Sequence, residues 1–161
     1  MATKLNTRAP NFTLPTKTKD GLKEVTLSDN FGKKNTVLLF FPLAFTGVCT
    51  DEMCSITKDY NAYNKLDAVV YGISVDSPFS QEIWAKQHKI TFPILSDMAR
   101  KVIKKYGIVD SELLNLGGVS KRAAFVIDKK GKIIYEWITN NPKILPYFDE
   151  IKQALKTVSG F

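Results

Sequence analysis

The chain contains two cysteines, Cys49 and Cys54, which lie five residues apart among 161 residues. A thiol is well suited to nucleophilic and redox chemistry when it is present as the thiolate. Pro42 and Thr46 precede Cys49 in the spacing Pro-x-x-x-Thr-x-x-Cys. The hydroxyl of Thr46 can both donate and accept a hydrogen bond, which suits a group that holds a thiolate and orients a reactant. These residues predict a thiol-based site.

We expect Cys49 to lie in the first turn of a helix that follows a buried strand. The strand is the short apolar run at 37–41, which Pro42 ends because proline cannot donate a hydrogen bond to a sheet. The apolar residues after the cysteine have the spacing of one helix face: Met53, Ile56, Tyr60 and Tyr63. The first turn of a helix offers unpaired N–H groups and the positive end of the helix dipole, which favour a thiolate.

A helix terminus alone does not supply enough free energy to ionise a thiol at neutral pH. An ordinary cysteine has a pKa of about 8.5, and lowering it to about 6 requires roughly 3 kcal/mol. A helix terminus supplies ~0.3–1 kcal/mol and at most about 2 kcal/mol. A cation close to the sulfur is therefore predicted. Arg122 is the best candidate, because it opens the apolar strand at 123–127, where packing requires no charge.

Each of these assignments has a simpler alternative. Cys49 could be a buried structural thiol at a helix start, and Arg122 a solvated side chain beside Lys121. Arg8 and Arg100 are the other two arginines, and they lack the strand context of Arg122. The spacing of proline, hydroxyl and cysteine at a strand-to-helix junction favours the chemical site over these alternatives.

The Pro-x-x-x-Thr-x-x-Cys spacing resembles the active-site signature of the peroxiredoxins, cysteine-based peroxidases with a thioredoxin-like fold. Residues 40–49, Phe-Phe-Pro-Leu-Ala-Phe-Thr-Gly-Val-Cys, look most like the one-cysteine alkyl hydroperoxide reductase E type. The second cysteine is instead similar to the bacterioferritin comigratory protein (PrxQ) group, so the chain is placed between the two. The resemblance extends from Ala-Pro-Asn-Phe-Thr-Leu at 9–14, through Ser-Asp at 96–97, to Arg-Ala-Ala-Phe-Val-Ile-Asp at 122–128.

The resemblance implies a role for each candidate residue. Cys49 is the peroxidatic nucleophile, and Thr46 holds the thiolate and orients the peroxide, unless Thr46 serves as the helix N-cap or as both. Pro42 lines the pocket and shields the sulfenic acid, or simply ends the strand. Arg122 is the active-site arginine. Glu52 is similar to the glutamate that orients this arginine in many relatives, and the alternative is a first-turn glutamate that stabilises the helix terminus.

Cys54 is predicted to resolve the sulfenic acid of Cys49 as an intramolecular disulfide. In an intact helix, residues five apart rise about 7.5 Å and have Cα atoms about 8–9 Å apart. A disulfide requires about 7 Å or less, so the first turns of the helix must unwind in every cycle. The alternative is a buried Cys54 thiol and a sulfenic acid that an external thiol reduces directly.

The apolar and charged fractions are ordinary for a soluble globular protein. The net charge is +7, but the lysines are spread out in short pairs, so a solvated surface is favoured over a nucleic-acid face. We expect no membrane span, no signal peptide, a cytoplasmic location, and neither metal nor other cofactor. The expected partners are a peroxide and a thioredoxin-like or glutaredoxin-like reductant. The chain is expected to be a monomer or a homodimer, and the homodimer is favoured. One competing hypothesis is a peroxide-sensing redox relay. Another is a disulfide reductase, and the absence of Cys-x-x-Cys disfavours the reductase.

The pattern of elements predicts an α/β protein with one domain over residues 1–161. A hairpin with its turn at 19–21 precedes the order β-α-β-α-β-β-α, which fits a thioredoxin-like fold with a central mixed sheet, flanking helices and an N-terminal hairpin extension. The predicted core elements are strands at 36–41, 68–75, 91–96, 122–127 and 132–138, with helices beginning near Cys49, Pro78 and Asp97. The helix from Pro78 has Phe79, Ile83, Trp84 and His88 near helical spacing, and the closing helix has an apolar face of Ile144, Phe148, Ile151 and Leu155. Residues 108–120 predict only an irregular, glycine-rich connection.

Overall fold

A five-stranded mixed sheet forms the centre of the structure, a computed structural model that describes residues 3–159. The elements in chain order are β1 (Thr13–Thr18), β2 (Gly21–Thr26), β3 (Asn35–Phe40), α1 (Gly47–Lys58), α2 (Tyr60–Lys65), β4 (Ala68–Ser74), α3 (Pro78–Gln87), β5 (Ile94–Ser96), α4 (Lys101–Lys105), β6 (Val109–Asp110), β7 (Val119–Ser120), β8 (Arg122–Ile127), β9 (Ile133–Thr139) and α5 (Phe148–Ser159). The strand order is β5-β4-β3-β8-β9, in which β3 runs parallel to β4 and antiparallel to β8.

Both faces of this sheet are covered, because successive side chains of β3 point to opposite sides. Leu38 and Phe40 pack with the N-terminal hairpin and α4. Val37 and Leu39 pack on the other side with α1, α2, α3 and α5. The apolar run of β3 is thus buried on both faces, as its continuous hydrophobicity predicts.

The predicted α/β architecture is confirmed. The N-terminal hairpin pairs Thr18 with Gly21 at its turn, and β8 and β9 form the predicted antiparallel pair. Helix α3 begins at Pro78, and the Ser77 hydroxyl accepts a hydrogen bond from the backbone N–H of Ser80, 3.1 Å away. A proline in the first turn and a serine N-cap are typical of a helix start.

Several predicted boundaries were wrong. The expected long helix is two helices, α1 and α2, because Asp59 leaves helical geometry with φ −106° and ψ 15°. The edge strand begins at Ile94 rather than residue 91. The helix expected from Asp97 begins at Lys101, since Arg100 takes a left-handed conformation with φ 59°. Both carboxylate oxygens of Asp97 still accept backbone hydrogen bonds, from Val102 and Ile103.

The apolar faces of two helices also differ from the prediction. Ile144 lies before α5, which begins at Phe148, and is 43% exposed. In α3, Phe79 and Ile83 are exposed, whereas Trp84 is fully buried. The spacing was helical in both cases, but spacing alone does not say which face of a helix the sheet covers.

Candidate active site

Cys49 lies at the junction of β3 and α1, as predicted. Thr46 occupies the N-cap position of α1, so Cys49 is the third helical residue and lies in the first turn. Its side chain is 1% exposed and packs in the cluster between the sheet and the helices. The thiol therefore lies at the positive end of a 12-residue helix and is shielded from bulk water.

Arg122 reaches this thiol from β8, the strand next to β3. The register pairs Phe40, the last residue of β3, with Ala123, so Arg122 lies level with the start of the connection from β3 to α1. The Nη2 atom of Arg122 donates to the Cys49 Sγ atom at 3.1 Å. Sheet pairing thus brings together two side chains that are 73 residues apart in the chain.

The guanidinium of Arg122 is fixed by its remaining hydrogen bonds and is 1% exposed. Its Nη1 atom donates to the Glu52 Oε1 atom at 2.7 Å. Its Nε and Nη2 atoms donate to the backbone carbonyl of Pro142 at 3.0 and 2.8 Å. A planar guanidinium can donate to the Cys49 sulfur, the Glu52 carboxylate and the Pro142 carbonyl at once, which a lysine ammonium cannot do with the same geometry.

Glu52 is fully buried in the second turn of α1, since the helix begins at Gly47. The alternative of a first-turn glutamate at the helix terminus is therefore wrong. Burial raises the pKa of Glu52 to about 7, although the Arg122 guanidinium acts in the opposite direction. Its Oε2 atom has no hydrogen-bond partner among residues 3–159.

Thr46 and Pro42 both line the cavity beside Cys49. The Thr46 hydroxyl donates to the backbone carbonyl of Leu43 at 2.8 Å, which leaves the lone pairs of its oxygen to accept a hydrogen bond from a reactant. Thr46 is at the N-cap position, yet in the part of the chain that the structure describes its hydroxyl makes no capping hydrogen bond.

A cavity of about 200 Å³ gives access to the thiol. Its lining is mostly apolar, and the lining residues are Pro42, Leu43, Thr46, Gly47, Val48, Cys49, Leu113, Leu114, Arg122, Pro142 and Lys143. Sequence reasoning missed the contributions of Leu113, Leu114 and Pro142. The two leucines lie in the segment predicted only as irregular, and Pro142 contributes a backbone carbonyl, which no residue type signals.

Cys54 is not brought to Cys49. Both cysteines lie on α1, and an intact helix keeps their Cα atoms about 8–9 Å apart. The Cys54 Sγ atom lies 3.9 Å from the backbone carbonyl of His88, at the end of α3. It is partly exposed there. The folded helix therefore separates the two thiols.

Two kinds of feature are absent from residues 3–159. No cluster of three or more histidine, cysteine, aspartate or glutamate side chains there is placed to hold a metal ion. Among the same residues, no helix has the length and apolar content required to cross a bilayer.

The site is a buried thiol that accepts a hydrogen bond from a buried arginine at the start of a helix, beside a mixed sheet. Residues 5–136 match the model of the AhpC/TSA family. Peroxiredoxin-2 of Cricetulus griseus is 34% identical over an alignment that covers 95% of this chain and 76% of the relative. The chain therefore belongs to the AhpC/TSA family of peroxiredoxins, which confirms the family resemblance.

Other relatives agree with this assignment. The chloroplastic 2-Cys peroxiredoxin BAS1 of Spinacia oleracea is 32% identical, and the match covers 94% of this chain. The chain spans 58% of the length of that relative. The reduced 2-Cys peroxiredoxin of Plasmodium vivax superposes with a TM-score of 0.87 at 29% identity, covering 98% of this chain and 83% of the other. The predicted thioredoxin-like fold is confirmed, whereas the position between two subgroups stays a prediction.

Proposed function

We propose that the chain is a thiol peroxidase that reduces hydrogen peroxide and organic hydroperoxides at Cys49. The observation that carries the proposal is the 3.1 Å contact between Arg122 Nη2 and Cys49 Sγ, with both side chains 1% exposed at the base of a cavity. A structural thiol does not require a buried guanidinium. A nucleophilic thiolate is favoured by one, because the positive charge and the helix N-terminus both stabilise the anion.

In the first step the Cys49 thiolate attacks one oxygen of the peroxide. The S–O bond forms as the O–O bond breaks, and the sulfur is oxidised by two electrons to a sulfenic acid. The other oxygen leaves as hydroxide or alkoxide and takes a proton from solvent to become water or an alcohol. Arg122 stabilises the thiolate and polarises the peroxide, and the oxygen of Thr46 accepts a hydrogen bond from it. Pro42 covers the product sulfenic acid on the cavity wall, and Glu52 orients the guanidinium.

Cys54 resolves the sulfenic acid in the second step of the proposed cycle. Its thiolate attacks the Cys49 sulfur, a disulfide forms, and hydroxide leaves as water after protonation. The names of relatives that refer to two cysteines support this cycle. It requires the start of α1 to open, which breaks the hydrogen bonds from the Thr50 N–H and hydroxyl to the carbonyl of Thr46.

A one-cysteine mechanism is the second candidate. The observation in its favour is that Cys54 faces the His88 carbonyl on an intact helix. In that mechanism an external thiol attacks the Cys49 sulfenic acid directly. A peroxide-sensing relay, in which Cys49 passes its oxidation to a partner protein, is a further alternative, and rapid turnover with a reductant argues against it.

We further propose a thioredoxin-like or glutaredoxin-like donor as the reductant of the oxidised form, in a cytoplasmic protein that is a monomer or a homodimer. The subgroup assignment, between the one-cysteine alkyl hydroperoxide reductase E type and the PrxQ group, is part of the same proposal. These points rest on the family resemblance and on the spacing of Cys49 and Cys54.

Peroxide consumption with a defined reductant tests the proposed activity. The native chain, Cys49→Ser and Cys54→Ser are compared with thioredoxin, thioredoxin reductase and NADPH, and in parallel with glutaredoxin and glutathione. We expect NADPH oxidation that depends on Cys49 with at least one donor. Consumption that survives Cys49→Ser, or is absent from the native chain with both donors, would overturn the proposal.

A further inference from the structure

The turn that carries Thr46 contains a disfavoured backbone conformation. Phe45 has φ 65°, in the left-handed region that a bulky side chain rarely adopts. Its side chain is 55% exposed, so packing of the ring does not account for the conformation. A strained residue persists only where its surroundings hold it, and such residues cluster at functional sites.

Hydrogen bonds hold this turn on both sides of Phe45. After it, the Thr46 hydroxyl donates to the carbonyl of Leu43. Before it, the backbone N–H of Ala44 donates to the Asp76 Oδ2 atom at 2.8 Å. Asp76 lies just after β4, so its carboxylate ties the turn to the neighbouring strand of the sheet.

The carboxylate of Asp76 is itself held by a buried polar network. The Ser74 hydroxyl donates to the same Oδ2 atom at 2.6 Å, and the Ser96 hydroxyl donates to the Asp76 carbonyl at 2.6 Å. Gln81 donates from Nε2 to the Ser74 hydroxyl oxygen and to the Leu95 carbonyl, both at 2.9 Å. Ser74, Gln81 and Ser96 are each at most 2% exposed.

We infer that Asp76 is a positioning residue for the peroxide reaction: it anchors the strained turn and so fixes the Thr46 hydroxyl relative to Cys49. The inference rests on the proposed function. Asp76 acts through the Ala44 N–H, whereas Arg122 holds the Cys49 thiol from β8. Loss of the anchor should therefore impair the orientation of the peroxide and leave the nucleophile itself intact.

Two reactions of Cys49 separate these effects. Oxidation by hydrogen peroxide requires the thiolate and the Thr46 hydroxyl in place, whereas alkylation by iodoacetamide requires only an accessible thiolate. For Asp76→Ala we expect a peroxide rate constant about tenfold lower, at the lower end of the range for one lost hydrogen bond to a charged group, and an alkylation rate constant within about twofold of native.

Three further variants complete the test. Asp76→Asn keeps an oxygen acceptor for Ala44 and should restore the peroxide rate to within about threefold of native. Asp76→Glu keeps the charge but moves the carboxylate by one methylene, so it should show the selective loss even if Asp76→Ala does not fold. Ser77→Ala is the matched control, because it removes the α3 cap next to Asp76 and should lower stability without lowering the peroxide rate.

The outcomes are distinguishable. A native peroxide rate in Asp76→Ala and Asp76→Glu would overturn the inference. Equal losses of the peroxide and iodoacetamide rates would also overturn it, because they indicate general disruption of the site. An Asp76→Asn variant that reacts with peroxide as slowly as Asp76→Ala would overturn it too. If the native chain itself does not react with peroxide at Cys49, it is the proposed function that has failed.

Discussion

Replacing Arg122 with methionine removes the one cation that contacts the Cys49 thiol within residues 3–159 and keeps a side chain of similar length. It also leaves the buried carboxyl of Glu52 without its partner at 2.7 Å. Two effects of different size are expected: a loss of stability, because a buried charge pair is broken, and a loss of reactivity, because the thiolate loses its donor.

The stability effect follows from burial, since both partners are at most 1% exposed. Breaking a buried pair by removing one partner costs about 3–5 kcal/mol. The loss is reduced when the carboxyl takes up a proton, which burial already favours, because it raises the pKa of Glu52 to about 7. The rate effect is about 1.5–3 kcal/mol for one hydrogen bond to a charged group, or roughly ten- to hundredfold.

A double variant separates the two effects. Arg122→Met with Glu52→Gln removes both buried charges, so it should recover a large part of the lost stability. It should not recover the peroxide rate, because the donor to Cys49 is still missing. Arg122→Lys keeps the charge, but its single nitrogen cannot reach Cys49, Glu52 and the Pro142 carbonyl together, so its rate should lie between those of native and Arg122→Met.

The assay is the second-order rate constant for oxidation of Cys49 by hydrogen peroxide at pH 7.5, measured by stopped flow, with unfolding in urea measured on the same samples. Arg100→Lys is the control, since Arg100 donates to the Gly118 carbonyl rather than to Cys49. A native rate in Arg122→Met would refute the reasoning. So would a double variant that recovers rate and stability together, because the arginine would then act only as a partner for Glu52.

Three other perturbations follow from the packing and titration of buried groups. Burial raises the pKa of Glu52 from 4.5 to about 7, so the native chain should lose up to about 3 kcal/mol of unfolding free energy relative to Glu52→Gln as the pH rises from 4.5 to 7. Urea unfolding at pH 4.5 and 8 measures this loss, and a native chain that becomes more stable relative to Glu52→Gln at pH 8 would contradict it. Gly72→Ala places a Cβ 2.8 Å from the Ile94 Cδ1 atom, and we expect thermal unfolding to show a loss of about 1–3 kcal/mol; an unchanged midpoint would show that Ile94 moves aside freely. Gly131→Ala strains a residue with φ 85° against the Phe31 ring, so unfolding in urea should show a loss above about 1 kcal/mol, which a native-like midpoint would exclude.

Much of the site was predictable because its parts lie in local patterns. The apolar run of β3, the proline that ends it and the helical spacing after it place Cys49 in a first helical turn without any structure. The need for a cation near the sulfur followed from magnitudes alone. Arg122 could be selected because it is a charge at the head of an apolar strand.

The remaining parts depend on contacts between distant segments. The carbonyl of Pro142 orients Arg122, but a backbone carbonyl is present at every residue and carries no signal of its own. Asp76 precedes the predicted helix start at Pro78, and its tie to Ala44 exists only because β4 lies beside β3 in the sheet. The break at Asp59 was missed because the apolar spacing continues through it to Tyr63.

The reaction of Cys49 with peroxide is tested by the intact mass and free-thiol count after one equivalent of hydrogen peroxide, on the native chain and on Cys54→Ser. We predict that the native chain loses both thiols and two hydrogen atoms, and that the variant gains one oxygen atom at Cys49. A native chain that gains one oxygen and keeps Cys54 free would support the one-cysteine mechanism. A Cys49 thiol that remains unoxidised in both proteins would contradict the account.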